Sequence, residues 1–286
     1  MNCLRSTELN RLATALATGA RLELCLTPKP GLVDLADTGS HKDLSFAIMQ
    51  RSIAYVAAFL DATARSLIAG EPFECQKQLG IQAEQCLYDN LGTNTHKGYI
   101  FLSGMLLIAY WHAPSQSEHD IRQTLASLSR EFFKHTVEKP THGLAVRKKY
   151  KAGGIVAESS ASFPSLFDQA LPVFRRHFNG KNRFETASFA MMARLMQTVD
   201  DTTTLHRSGP EGLIRVKHDG AVLEALILAG KDPLQSLEEL NRSYVELNMT
   251  IGGVADVLGL SYGVLVFGGE LPSGLAATVL SASAFD

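Results

Sequence analysis

Residues 98–113, GYIFLSGMLLIAYWHA, form the longest uncharged apolar stretch in this sequence of 286 residues. Ser103, Gly104 and His112 interrupt the stretch, and it is shorter than the ~20 residues that a membrane-spanning helix needs. It therefore predicts a helix buried in the core of a globular protein, with other elements packed around it.

Helical periodicity is found on both sides of this stretch. Apolar residues recur three and four positions apart, as one face of an amphipathic helix requires. The three clearest faces are Leu9, Leu12, Leu16 and Ala20; Ile48, Ile53, Val56, Ala57 and Leu60; and Leu237, Leu240, Tyr244 and Leu247. Asp232 and Pro233 supply an N-cap and a first-turn proline for the last face. Because no clear strand pattern is present, we predict an all-α fold.

Composition is that of an ordinary globular protein. Hydrophobic residues make up 45% and charged residues 20%, with a net charge of −2. The absence of a basic excess argues against a nucleic-acid partner, except through a local patch. The chain has no secretory signal pattern at its amino terminus, and its four cysteines lack metal-binding or disulfide-framework spacing. We predict a cytoplasmic protein with reduced thiols and no membrane partner; oligomeric state cannot be inferred.

Glycine and proline interrupt the helical pattern at five places. These breaks lie at residues 27–31, 91–95, 151–154, 206–210 and 251–253. Each break lies beside histidine, lysine, arginine or a carboxylate, and loops between rigid helices commonly carry binding groups. No linker or repeat divides the chain. We predict one domain over residues 1–286, a multi-helix bundle whose functional site is formed by inter-helix loops.

The first two breaks carry candidate anion-binding and metal-binding groups. Lys29, Asp34, His41 and Asp43 lie in a loop longer than a simple turn needs. The alternative role for Asp43 is that of a helix cap. In the segment N-T-H-K-G at 94–98, a helix start with free backbone N–H groups could bind phosphate. The alternative for this segment is a capped helix with an exposed His96 and Lys97.

The remaining breaks offer weaker signals. Thr141, His142, Arg147, Lys148, Lys149 and Lys151 precede Gly153 and Gly154. Such a cationic run could receive phosphates but is usually a solvated face, so Glu158, in an uncharged stretch, is the better candidate there. Asp200 and Asp201 invite Mg²⁺, and only one of them can point inward. The segment N-M-T-I-G-G-V-A-D at 248–256 opens a helix with two glycines, and Asp256 could bind a metal or simply complement the helix dipole.

Taken in order, these segments resemble the triphosphoribosyl-dephospho-CoA synthase family. L-T-P-K-P-G-L-V-D, followed by S-H-K-D, is similar to the family's K-P-G-L-V-D…A-H-x-D, and G-T-N-T-H-K-G is similar to its G-V-N-T-H-K-G. Two further segments, at 200–212 and 248–256, resemble its D-T-N…R-G-G and N-L-S-P-G-G-S-A-D. The resemblance extends over residues 22–258.

The resemblance implies an all-α transferase that uses ATP with Mg²⁺. Such an enzyme joins C1″ of the ATP ribose to the 2′-hydroxyl of 3′-dephospho-CoA and releases adenine. The product is the prosthetic-group precursor for the acyl carrier protein of citrate lyase or malonate decarboxylase. The implied catalytic residues are Glu158 or His96 as acid and base, with Asp43. Those implied for substrate binding are Lys29, Asp34, His41, Asn94, Lys97, Arg207, Asn248, Gly252 and Gly253; those implied for metal binding are Asp43, Asp201 and Asp256.

The departures from the family pattern that bear on activity include Val156, Ala157, Thr203, Ser208 and Ile251. The first removes an arginine, and with it a bidentate partner for phosphate or carboxylate. These changes leave other functions open. The alternatives are an ATP-dependent phosphotransferase, a nucleoside glycohydrolase, and a non-catalytic binding protein of the same fold.

Overall fold

The structure, a computed structural model, describes residues 2–135, 149–150, 152–178, 184–272 and 275, and these residues contain eleven α-helices, one π-helical turn and no strand. The helices are α1 (Asn2–Cys25), α2 (Phe46–Ile68), α3 (Phe73–Leu91), α4 (Lys97–His112), α5 (Glu118–His135), α6 (Gly154–Ser160), α7 (Leu171–His177), α8 (Phe184–Thr198), α9 (Thr202–Leu228), α10 (Leu234–Glu246) and α11 (Gly252–Phe267). The π-helical turn, Ser165–Ala170, precedes α7. The predicted all-α fold is confirmed.

Helix α4 is the buried helix that residues 98–113 predicted. Every residue from Tyr99 to Tyr110 is buried except Phe101, so the helix is covered on all sides. It packs against α2, α5 and α11. The amphipathic faces of α1 and α2 are also buried, through Leu9, Leu12 and Leu16 on α1 and through Ile53, Val56 and Leu60 on α2.

Helices α1 and α11 cross at very close range. A Cβ atom placed on Gly19 would lie 2.2 Å from the carbonyl oxygen of Gly259 and 2.4 Å from the nitrogen of Gly263. Only glycine permits two backbones to approach this closely. The crossing fixes the carboxyl end of α1, and with it Glu23, against the first turns of α11.

Gly19→Ala is expected to lower the free energy of unfolding by about 3 kcal/mol, because the added methyl group meets backbone atoms that cannot rotate away. Urea denaturation of both proteins gives the comparison. The matched control is Gly80→Ala in α3, where the new Cβ meets only the Phe59 ring at 3.8 Å. We expect that control to be as stable as the wild type or slightly more stable. Equal stability of the two variants would contradict the close crossing.

The predicted break at 206–210 is present as a kink inside α9, where Gly209 has φ 66° and ψ −168° and Pro210 begins the next helical segment. One detail of the predicted helices is wrong. Leu247 does not belong to the buried face of α10, because the helix ends at Glu246 and Leu247 is half exposed. Leu237 and Tyr244 of that face are fully buried, and Leu240 is partly buried and packs against the core.

The long loop between α1 and α2 is anchored on α10 by hydrogen bonds. The amide of Gly31 donates to Asn241 Oδ1 (2.9 Å), and the hydroxyl of Ser40 donates to the carbonyl oxygen of Tyr244 (3.1 Å). Asn241 Nδ2 donates to Asp37 (2.8 Å). The loop is thus held in one conformation beside the start of α11.

No helix within the described part of the chain is long and apolar enough to cross a membrane. The four cysteines are free thiols. The predicted cytoplasmic location stays a prediction.

Candidate functional site

One cavity of about 300 Å³ lies where the α1–α2 loop, the start of α4, the start of α9 and the start of α11 meet. Eight of the predicted site residues line it: His41, Asp43, Asn94, His96, Lys97, Arg207, Gly252 and Asp256. The loops around 41–43, 94–97, 207 and 252–256 therefore converge as the sequence predicted. Lys29, Asp34, Asp201, Asn248, Gly253 and Glu158 are not part of the lining.

Lys29 is buried behind the cavity wall. Its side chain has no exposed surface, and Nζ contacts Glu23 Oε1 at 2.6 Å and the backbone carbonyl of Glu23 at 2.5 Å. Glu23 itself lines the cavity. Burial raises the pKa of Glu23, and the Lys29 ammonium opposes that shift. The predicted contact of Lys29 with a triphosphate is not favoured by this position, since its ammonium group is already paired.

Asp34 organises the loop rather than facing the cavity. Its carboxylate accepts hydrogen bonds from the amides of Lys29 (2.8 Å), Ala36 (2.8 Å) and Asp37 (3.2 Å). These bonds fold residues 29–37 into a compact turn. Asp34 thus holds the K-P-G-L-V-D segment in shape, which is a structural reason for an aspartate at this position.

Arg207 connects the loop to the far side of the cavity. Its guanidinium donates to the carbonyl oxygen of Ser40 (2.7 Å), to Asn248 Oδ1 (3.2 Å) and to His41 Nδ1 (3.2 Å). Because His41 Nδ1 accepts, its Nε2 carries the proton and donates to Thr250 Oγ1 at 3.1 Å. Burial and the nearby Arg207 lower the pKa of His41 to about 4, so the ring is neutral at pH 7.

His96 belongs to a small polar network at the amino end of α4. Ser52 Oγ lies 2.6 Å from His96 Nδ1 and 2.6 Å from Thr95 Oγ1. Burial and the charge of Lys29 lower the pKa of His96 to about 4. A neutral imidazole can accept a proton at pH 7 but does not start as a cationic acid. Beside it, Asn94 Oδ1 is buried without a hydrogen-bond partner among the described residues.

Asp256 packs directly against the first turn of α4 at the cavity wall. A Cβ atom on Gly98 would lie 2.0 Å from Asp256 Oδ2, so the glycine is what lets the carboxylate approach the helix. The backbone amide of Tyr99 donates to it. Burial, with the charges of Asp201 and Glu23, raises the pKa of Asp256 well above its usual value. A carboxyl group of this kind can carry a proton at neutral pH.

Asp201 caps two helices. Its Oδ1 accepts from the amides of Thr203 (2.8 Å) and Thr204 (3.0 Å) in α9, and its Oδ2 accepts from the amide of Val254 (3.0 Å) in α11. The side chain is 1% exposed. Both carboxylate oxygens of Asp201 accept hydrogen bonds, and the residue does not line the cavity. This position does not favour the predicted metal role, which stays a prediction.

Asp201→Ala is expected to lower the free energy of unfolding by about 2–3 kcal/mol, because it removes caps from two helices and leaves buried amides unpaired. Thermal or urea denaturation measures this. Asp200→Ala is the matched control, since Asp200 is exposed and forms a surface ion pair with Lys217 (2.8 Å). We expect the control to change stability by less than ~0.5 kcal/mol. Equal effects of the two substitutions would show that Asp201 is not a structural cap.

Glu158 is not at the cavity. Its two oxygens accept from the amide (2.9 Å) and the hydroxyl (2.8 Å) of Ser165, at the start of the π-helical turn. Burial raises the pKa of Glu158. Its predicted acid or base role is not favoured by this position. Of the cationic run, Thr141, His142, Arg147, Lys148 and Lys151 lie outside the described residues, and Lys149 Nζ lies 4.8 Å from the centroid of the Tyr150 ring.

Among the described residues, no three His, Cys, Asp or Glu side chains group so that they could hold a metal ion by themselves. The lining does contain oxygen donors: the carboxylates of Asp43, Asp256 and Glu23 and the hydroxyls of Thr203 and Thr250. Mg²⁺ commonly takes one or two carboxylates and completes its shell with water and substrate phosphates. The donor set therefore fits Mg²⁺ that arrives with a triphosphate.

Comparison with known proteins identifies the family. A sequence model of the family described as ATP:dephospho-CoA triphosphoribosyl transferase matches residues 9–269. The chain belongs to this family. A protein of Salmonella gallinarum named "Probable 2-(5''-triphosphoribosyl)-3'-dephosphocoenzyme-A synthase" is 31% identical over 276 residues, covering 89% of each chain. A protein of the same name from Streptococcus pyogenes serotype M49 is 31% identical over 267 residues, covering 84% of this chain and 90% of its own.

No solved structure matches the chain. The family confirms the recognition made from the four sequence segments and the prediction of a transferase.

The departures from the family pattern fall in different surroundings. Thr203 lines the cavity, whereas Ile251 is fully buried in the core. The hydroxyl of Ser208 is buried without a partner among the described residues. Val156 and Ala157 lie on α6 beside Glu158, away from the cavity lining. Of these five residues, Thr203 is the one that lines the cavity and can contact a ligand there; Thr93 and Thr250, which also differ from the family pattern, line it as well.

Sequence reasoning did not predict several polar residues of the lining, among them Glu23, Thr203 and Thr250. Glu23 lies in α1, outside the punctuated segments, and its position four residues before T-P-K-P was the only available signal. A hydroxyl such as Thr250 carries no charge or spacing that marks it.

Proposed function

We propose that this cavity binds ATP and 3′-dephospho-CoA and transfers the 5-triphosphoribosyl group of ATP to the 2′-hydroxyl of 3′-dephospho-CoA. Adenine is the leaving group. The observation that carries the proposal is the convergence of Arg207, Lys97, His96 and Asp256 on one cavity in a chain of this transferase family. We further propose that the product supplies the prosthetic group of the acyl carrier protein of citrate lyase or malonate decarboxylase.

The triphosphate is bound by Arg207, Lys97 and the amino end of α4. Arg207 lines the cavity and has five N–H donors, which suits phosphate oxygens. Lys97 is half exposed and pairs with Glu84 (2.7 Å), so it can turn to a ligand at little cost. The helix start adds backbone N–H groups and a favourable dipole. Asp43 would hold Mg²⁺ that arrives with the triphosphate, and the ion would supply positive charge against the phosphates.

The protonation states of Asp256 and His96 assign the roles of proton donor and proton acceptor. Asp256, whose charged form is disfavoured by burial and by Asp201 and Glu23, gives its proton to the departing adenine. His96, which is neutral because burial and Lys29 lower its pKa, accepts the proton of the attacking 2′-hydroxyl. Asn94 Oδ1 accepts a hydrogen bond from a ribose hydroxyl or from the adenine amino group.

Bond changes balance in this scheme. The C1″–N9 bond breaks and its electron pair goes to adenine, which takes one proton. The C1″–O2′ bond forms and the 2′-hydroxyl loses one proton. Proton exchange between Asp256 and His96 through solvent restores both residues, and no oxidant or further reactant is needed.

The test is to incubate the protein with Mg·ATP, with and without 3′-dephospho-CoA, and to measure adenine, ADP and the coupled product by chromatography and mass spectrometry. CoA, whose 3′-phosphate lies beside the 2′-hydroxyl, is the control acceptor. The proposal predicts adenine and a coupled product only with 3′-dephospho-CoA. Release of adenine without an acceptor would instead indicate a glycohydrolase, and formation of ADP would indicate a phosphotransferase. If the protein neither turns over ATP nor gives binding heat with it, it is a non-catalytic protein.

A further inference from the structure

Glu23 lies in the last turn of α1, at the cavity wall, with its partner Lys29 behind it. Glu23 is 5% exposed and Lys29 is fully buried. Glu23 therefore lies on the cavity side of the pair, and Lys29 lies on the core side. Neither the sequence segments nor the family comparison gives Glu23 a role.

Burying an ion pair of this kind costs free energy that an apolar pair of similar size would not. Removing two charges from water costs several kcal/mol per ion, and a well-packed apolar pair is often as stable or more so. The surroundings add to the cost, because Asp34, Asp201 and Asp256 are close enough to interact electrostatically with Glu23 or with one another. The Lys29 ammonium group contacts Glu23, one member of this group of acids. The arrangement places negatively charged side chains at the cavity wall, although uncharged ones would avoid the desolvation cost.

Breaking an N-glycosidic bond develops positive charge on the ribose, and enzymes of glycosidic chemistry stabilise that charge with a carboxylate. A carboxylate fixed at a cavity wall and shielded from bulk water acts strongly, because little water screens it. Asp256 is engaged in proton handling, and Asp43 is exposed on the loop. Glu23 is the remaining carboxylate of the lining.

We propose that Glu23 is a catalytic residue whose ionised carboxylate faces the ribose of ATP and stabilises the cation that forms as adenine departs, and that Lys29 is a positioning residue that holds Glu23 ionised and in place. This inference rests on the proposed function. Glu23 forms no bond to the sugar in this role; it acts by charge while the C1″–N9 bond breaks and the C1″–O2′ bond forms.

The test uses the double variant Glu23→Gln/Lys29→Met, because it removes both charges and leaves neither buried alone. We expect kcat for adenine release to fall on the order of 10²-fold, the loss typical of removing one preorganised electrostatic contact. We expect the Kd of Mg·ATP, measured by calorimetry, to stay within about threefold of wild type, because charge stabilisation appears only in the transition state. The split between kcat and Kd separates this role from a structural one.

The matched control is Glu224→Gln/Arg194→Met. Glu224 is also buried and ion-paired, with Arg194 Nη2 at 2.6 Å from Oε1, but neither residue lines the cavity. We expect kcat of the control to remain within about threefold of wild type. Should the Glu23 double variant fail to fold, Glu23→Asp keeps the charge but withdraws it by one methylene group, and we expect it to lower kcat more than tenfold with an unchanged Kd.

Failure of the inference can be told from failure of the proposed function. Wild-type protein that releases no adenine with 3′-dephospho-CoA would overturn the proposed function itself. Wild-type protein that does so, together with a Glu23 variant whose kcat is unchanged, would overturn only the role of Glu23. A Kd that weakens as much as kcat falls would also overturn it, because the residue would then be binding substrate in the ground state.

Discussion

Asp256→Asn is expected to lower kcat for adenine release by roughly 10²- to 10⁴-fold, the range for loss of a positioned proton donor. An amide has nearly the same shape as the carboxyl group but cannot give its proton to adenine. The uncharged amide also removes the electrostatic repulsion from Asp201 and Glu23. Steady-state adenine release under saturating Mg·ATP and 3′-dephospho-CoA measures the effect.

The same substitution is expected to raise thermal stability, which distinguishes lost chemistry from lost fold. The folded-state pKa of Asp256 lies above its unfolded value, because of burial and then the charges of Asp201 and Glu23. Its favourable contribution is therefore present at low pH and is lost as the pH rises through the folded-state pKa. Asparagine does not ionise, so the Tm gain over wild type should be larger at pH 8 than at pH 5. A lower Tm at both pH values would contradict this electrostatic description.

Gly98→Ala is the second substitution with a large expected effect. The added methyl carbon would lie 2.0 Å from Asp256 Oδ2, so the carboxyl group must move away from the start of α4. We expect kcat to fall on the order of 10²-fold, since displacements of about 1 Å can cost this much. Stability should fall by less than about 2 kcal/mol, because the displaced atom is the end of a side chain.

A double-mutant cycle checks the mechanism of this loss. If Gly98→Ala acts by moving Asp256, then adding it to Asp256→Asn should cause little further loss of kcat. Gly80→Ala, with its ordinary 3.8 Å contact to Phe59, controls for a helical glycine substitution and should leave kcat unchanged. Multiplicative effects of the two substitutions would contradict the proposal that Gly98 serves Asp256.

The helices were predictable because their signals are local. The apolar run at 98–113 and the three- and four-residue spacing in α1 and α2 depend only on nearby residues. The kink at Gly209 was harder to predict from the sequence, because a Gly-Pro pair is equally typical of a loop and of a kinked helix. Leu247 fits the period of α10 but follows its last turn, and periodicity does not fix a helix end.

The site was predictable to the extent that polar loop residues mark it. Loops that carry histidine, lysine and carboxylates did converge on one cavity. Sequence could not decide which of these groups faces that cavity. Lys29 pairs with Glu23, Asp34 accepts hydrogen bonds from loop amides, and Asp201 caps two helices. These partners are set by tertiary packing. Glu23 was missed because a charged residue in a helix is ordinarily solvated.

A crystal structure with Mg·ATP tests the central claim most directly, namely that loops distant in sequence form one nucleotide site. We predict phosphate oxygens within hydrogen-bonding distance of Arg207 and Lys97, the ribose beside Glu23 and Asp256, and Mg²⁺ in contact with Asp43. ATP bound instead at the shallow surface of α5 around Arg122 and Arg130, which shares no lining residue with the cavity, would contradict it.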